Sequence, residues 1–144
     1  MNAADGPMRT LLERARVIGV AGLSDKPERD SNEVARYLQS QGYQIVPINP
    51  MVQEVLGERS YPSVSAVPFE LHLDILDIFR RSDQVLPIVE EGLARGVGAI
   101  WMQLGVESTE SVRKAEAANV PVYQNLCIMV QHRRLHIPPR TGGP

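Results

Sequence analysis

The segment of this sequence richest in groups that can hold an anion is Gly22-Leu23-Ser24-Asp25-Lys26-Pro27-Glu28-Arg29. Gly22 lets backbone approach a ligand, Ser24 offers a hydroxyl, and Lys26 and Arg29 offer positive charge. Just downstream, Asp30 with Glu33 three residues later reads as a capping box, so a helix beginning near Ser31 would present unpaired N–H groups at its positive end. A phosphate is the ligand that such a set suits. The full G-x-G-x-x-G is absent, as is the Gly-Lys-Ser/Thr ending of a P-loop. Taken alone, the segment is equally consistent with a solvated polar loop that turns on a glycine.

Three other stretches bear on the ligand. A dinucleotide site wants a carboxylate about 20 residues beyond the glycine motif to hold the ribose hydroxyls. The sequence there is Pro47-Ile48-Asn49-Pro50, which points to a nucleotide other than a dinucleotide, or else to a plain turn of the chain. Phe79-Arg80-Arg81 could set an aromatic face and a guanidinium against a phosphate-bearing ligand, though Arg80 could equally be a surface charge. Gln103-Leu104-Gly105 combines an amide that donates or accepts with a glycine that permits close backbone approach, in a turn of a common kind.

Cys127 and His132 invite a nucleophile-and-base reading, and His132 with His136 a metal-ligand reading. Two histidines do not close a coordination sphere, no acidic third member lies near, and a lone cysteine is commonly a small buried hydrophobe. The expectation is therefore no catalytic set and no metal. His72 is expected at the surface, Asp74 and Asp77 beside or within a strand without forming an acid/base pair, and Trp101 and Met102 in the core or at an interface.

What positions these groups follows from periodicity. Met8, Leu11, Leu12 and Ala15 give the stripe of a short amphipathic helix, and Val17–Ala21 is an unbroken small apolar run, as in a parallel strand buried on both faces. Strands are expected again over 44–48, 75–79, 99–104 and 120–123. Helical spacing lies between them: from Asp30 to Gly42, from Ser82 to Gly96 and from Thr109 onward, with a terminal helix over 128–135. Alternation of this kind implies right-handed crossovers and a Rossmann-like, doubly wound α/β sheet of about five parallel strands in a three-layer sandwich. Ligands of such folds lie at the carboxyl edge of the sheet, which is where the loops named above emerge.

The chain has 144 residues, 43% hydrophobic and 22% charged, values of an ordinary globular domain. One domain over 1–137 and a flexible tail over 138–144 are expected. A formal charge of -2 is by itself uninformative about partners, but a nucleic-acid binder would show a basic excess or stripe; Arg133, Arg134 and Arg140 read as a solvated end, and no nucleic-acid partner is expected. A single cysteine and an N-terminus without a basic start and apolar run suggest a cytoplasmic location, and no apolar stretch approaches the length that spans a bilayer.

Taken in order, V-I-G-V-A-G-L-S-D-K-P-E-R-D-S, Y-Q-I-V-P-I-N-P, L-D-I-L-D-I-F-R, A-I-W-M-Q-L-G-V and V-P-V-Y-Q-N-L-C-I-M-V-Q-H resemble the small stand-alone CoA-binding proteins. That family is similar to the N-terminal CoA-binding domain of the succinyl-CoA synthetase alpha subunit. The resemblance runs from about Leu11 to Leu135. It implies that Gly22, Ser24, Lys26, Arg29 and Ser31 line phosphates, that Pro47 and Asn49 border the adenosine, and that Phe79 and Arg80 close one side with Gln103 and Gly105 on the other. Where the family often has Asp-Arg-Cys, this chain reads Asn125-Leu126-Cys127, and the phosphorylated-histidine and ligase domains of the synthetase are absent. The expectation is a binder of CoA or acyl-CoA, as a possible homodimer, without its own catalysis. The alternatives are a nucleotide- or thioester-processing enzyme using Cys127 and His132, and a ligand-dependent regulator of a partner protein.

Overall fold

Val17–Ala21 forms β1, an interior strand, and its small apolar side chains allow a strand on each side and a helical layer on each face. The structure, a computed structural model, describes residues 3–140. Before β1 comes α1 (Asp5–Arg14), and after it α2 (Asp30–Ser40), β2 (Gln44–Ile48) and a short hairpin of β3 (Glu54–Val55) and β4 (Glu58–Arg59). The second half runs β5 (Ile75–Ile78), α3 (Val85–Arg95), β6 (Ile100–Met102), α4 (Thr109–Ala117), β7 (Val122–Tyr123) and α5 (Ile128–Arg134). The five long-range strands pair in the order β2-β1-β5-β6-β7, every neighbour parallel. This is the Rossmann-like α/β fold expected from the alternation.

Side chains alternate across the sheet and so divide the core into two layers. Ile18, Val20, Ile75 and Trp101 face α1, α2 and α5, where they meet Leu12, Val34, Leu38 and Ile128. On the other face Leu76, Ile78, Ile100 and Met102 meet Val85, Val89 and Ala115 of α3 and α4. Trp101 and Met102 are fully buried, as core residues.

Three local expectations are corrected. The β3–β4 hairpin lies between β2 and β5, where no strand is expected from the sequence. β6 is shorter than expected: at Gln103 the chain leaves the sheet into a turn, where Val106 N–H donates to the Gln103 carbonyl at 2.8 Å. The helix expected from Ser82 begins only at Val85, and Ser82 opens a 3-10 turn, its hydroxyl donating to Gly105 O at 3.3 Å and accepting from Glu107 N–H at 2.9 Å. Of the tail expected over 138–144, residues 141–144 lie outside the described residues. Arg140, within them, donates to Glu13 O at 2.6 Å and stacks over the Tyr43 ring.

Candidate functional site

The strand order reverses direction between β1 and β5, since β1 is followed by β2 on one side while β5 leads to β6 and β7 on the other. A crevice opens at the carboxyl ends of two such strands because their crossovers run to opposite faces. Gly22 leaves β1 there with φ 85°, its N–H donating to Ile48 O at 2.9 Å. A Cβ at this position would stand 2.4 Å from the Phe79 carbonyl oxygen. Glycine is thus demanded by the adjoining end of β5 as well as by any ligand.

The loop that follows is shaped by its own hydroxyls. Ser24 N–H donates to Ser31 Oγ at 3.0 Å, Lys26 N–H to Ser24 Oγ at 3.1 Å, and Asn32 Nδ2 to Ser24 O at 2.9 Å. No capping box forms: Arg29 is the N-cap of α2 and lends no side chain, and the N–H groups of Asn32 and Glu33 return to its carbonyl at 3.1 Å. Ser31 is taken up by the loop, and the N–H groups of Asp30 and Ser31 have no intrahelical acceptor. Gly22, Ser24, Lys26, Arg29, Ser31 and Phe79 border one concavity of about 570 Å³, joined by Glu28 and Asp30. Lys26 and Arg29 are exposed and form no ion pair among the described residues. The acids beside them moderate the local potential, so an anion placed here would need directed N–H groups as well as charge.

Two further cavities adjoin this one. On the α2 and α5 side, a space of about 370 Å³ is bordered by Val34, Phe79, Arg80, Gln103, Gly105 and Cys127 among others. Towards α3, a space of about 430 Å³ includes Gly22, Ile48, Arg80 and Gln84 in its wall. Arg80 is held between them by a 2.9 Å hydrogen bond from Nη2 to Gln84 Oε1. Pro47 and Asn49 border none of these three spaces. Pro47 lies buried in β2, its carbonyl accepting from Tyr61 N–H at 3.0 Å, and Asn49 braces the loop through Leu23 O and Met51 N–H, at 2.9 and 2.8 Å.

Cys127 and His132 are not brought to one site. Cys127 is half-buried at the cavity wall, whereas His132 borders none of the three spaces and is buried between two rings, its Nδ1 2.7 Å from the Tyr37 hydroxyl and its Nε2 without a hydrogen-bond partner. Burial, and the charge of Arg133 beside it, hold its pKa below the ordinary histidine range. Among the described residues, no group of three or more His, Cys, Asp or Glu could hold a metal. His72 is exposed and lies 3.6 Å from Asp74, whose other oxygen accepts from the N–H groups of Arg16 and Val17.

Several residues at the site escape a reading by pattern. Glu33, Val34, Val106 and Met129 border the 370 Å³ space. Helical spacing assigned Val34 to the core, and nothing local tells the first residues of α5 from any other helix start. Asp77 is the larger surprise. It is fully buried in β5 between Val20 and Trp101, and neither carboxyl oxygen has a hydrogen-bond partner. Burial pushes its pKa well above the ordinary carboxylate range, with the Ile78 backbone pulling weakly the other way.

Comparison with known proteins bears on this arrangement. The chain is 34% identical over 131 residues to the protein YneT of Bacillus subtilis (strain 168), covering 91% of this chain and 96% of that one. A solved structure of a hypothetical protein from Pyrococcus horikoshii OT3 matches with TM-score 0.87 and 36% identity over 92% of each chain. The alpha subunit of an ADP-forming acetate–CoA ligase of Pyrococcus furiosus is 30% identical over 102 residues, 69% of this chain and 22% of that subunit. The pattern of the CoA binding domain matches residues 16–133, from the residue before β1 into α5, and the chain belongs to that family.

Proposed function

We propose that this protein binds coenzyme A or an acyl-CoA in its own crevice and has no catalytic set of its own. The observation that carries the reading is the gathering of Gly22, Ser24, Lys26, Arg29 and Ser31 around one concavity at the start of α2, in a chain of the CoA binding domain family. The diphosphate of the ligand would take the N–H groups at that helix start, with Lys26 and Arg29 supplying charge. Nothing beyond binding carries over from the acetate–CoA ligase subunit, of which this chain spans 22%. Burial of His132 away from the cavity that Cys127 borders favours binding over thioester chemistry by that pair.

Titration calorimetry with CoA and NAD tests the reading. At the end of β2 an acid that would hold a ribose is replaced by Asn49, whose side chain is committed to Leu23 and Met51. CoA is expected to bind about tenfold or more tightly than NAD, because a ribose left without its acceptor forfeits a hydrogen bond of the charged kind. Equal or tighter binding of NAD would overturn the assignment.

A further inference from the structure

Gln103 is 4% exposed at the end of β6, and its Oε1 accepts from Ile128 N–H at 3.0 Å. That bond settles the orientation of the amide, because a backbone N–H can be met only by the carbonyl end. The NH2 group is left over, without a hydrogen-bond partner among the described residues, on a side chain that borders the 370 Å³ cavity. A carbonyl entering that cavity would meet it.

The rest of the wall is soft and apolar: Val34, Phe79, Leu104, Val106 and Met129. Leu104 is 71% exposed and would be covered by an apolar chain lying in the cavity. Phe79 and Asp30 border both this space and the phosphate concavity, so a ligand anchored by its phosphates can reach in without leaving the surface. Charges of both signs stand at the mouth: Asp30 and Glu33 are exposed, Arg80 keeps its charge while donating to the neutral Gln84 amide, and Arg81 lies 3.3 Å from Asp83.

We infer that this cavity receives the acyl end of an acyl-CoA thioester, with Gln103 donating to the thioester carbonyl. The inference rests on the CoA reading above and narrows it to a substrate class.

Calorimetry with CoA and butyryl-CoA separates the possibilities. Butyryl-CoA is expected to bind roughly tenfold more tightly than CoA, from the buried methylenes and the added hydrogen bond. Gln103→Glu keeps the acceptor for Ile128 N–H and loses the donors, so the ratio of butyryl-CoA to CoA affinity should fall about fivefold, the contribution of the methylenes remaining. Equal binding of CoA and butyryl-CoA by the parent overturns the acyl site and leaves the CoA reading standing. A ratio unchanged in Gln103→Glu overturns the hydrogen bond to the thioester. Failure of both ligands to bind overturns the CoA reading itself.

Discussion

Lys26 and Ser31 show how differently two neighbours in one loop can serve a site. Ser31 is buried, and its oxygen is occupied by Ser24 N–H, so its part is to hold the loop in shape. Lys26 is exposed, and no protein group engages its ammonium among the described residues. Its removal therefore costs the fold nothing while withdrawing a cation from the proposed phosphates. Lys26→Ala should weaken CoA binding about tenfold, the low end for a charge-assisted hydrogen bond because solvent screens the site, and leave the melting temperature of the free protein unchanged. The loss should shrink as salt is raised. Calorimetry at two salt concentrations checks this, and undiminished affinity at low salt would remove the loop from the site. Lys26, Arg29 and Gly22 were legible from residue type. The need for Gly22 was legible only in part, since the carbonyl of Phe79 that forbids a Cβ comes from a strand more than fifty residues away.

At the scale of the element, β5 is the strand that least resembles its neighbours. Isoleucine and leucine make it a buried parallel strand, yet it carries Asp77 with no partner for either oxygen. In a carboxyl so placed the protonated form is favoured, because ionisation in an apolar layer is opposed by the loss of hydration. Its folded pKa lies above the unfolded value of about 3.9, so the contribution is fully present below that pH and is lost as pH rises. The folding equilibrium should then weaken by up to about tenfold per pH unit above pH ~4, one proton being involved. Asp77→Asn keeps the shape and removes the titration. Urea midpoints of the parent, measured from pH 4 to 7, should fall relative to those of the variant; parallel curves would mean that Asp77 is ionised in the folded state. The run Leu73-Asp74-Ile75-Leu76-Asp77-Ile78 predicts a strand well, but it does not say which of the two acids is inside. Asp74 finds the N–H groups of Arg16 and Val17 at the open end of the sheet, and Asp77 finds none.

Considered as a whole molecule, the end of the fold opposite the site is closed by contacts between chain segments far apart in sequence. Arg134 pairs with Asp5 at 2.8 Å, Arg9 donates to Leu135 O, and the Tyr43 hydroxyl, its pKa pushed up to about 12 by burial, donates to Leu12 O. His132 sits in this corner on Tyr37 and Tyr43. Its folded pKa is lowered, so its contribution is present above the unfolded value of about 6.5 and is lost as pH falls through that value towards the folded one. The slopes from His132 and Asp77 thus oppose each other wherever both groups titrate. His132→Gln, which can still meet the Tyr37 hydroxyl, should abolish the acid-side loss: its urea midpoint should fall less than the parent's between pH 6.5 and 5. An identical fall in both proteins would show that His132 is not held neutral.

The sequence by itself determined the order and kind of the elements that matter, because a strand buried on both faces and a helix buried on one write different periods into the chain. It determined the parallel sheet, since the strands alternate with crossovers, and it placed the groups proposed to hold an anion at the carboxyl edge, since loops after strands must emerge there. Tertiary structure alone decided which loops share a cavity. Pro47 and Asn49 stand at the carboxyl end of β2 as Phe79 and Arg80 stand at that of β5, yet the first pair lies in the sheet and the loop frame while the second borders open space. It also decided that Gln103 has an amide end to spare and that Val34 and Met129 flank it, through a bond from Ile128 twenty-five residues on. Local pattern records what each residue does for its own element. A cavity is made by the gaps between elements, and no single stretch of chain encodes a gap.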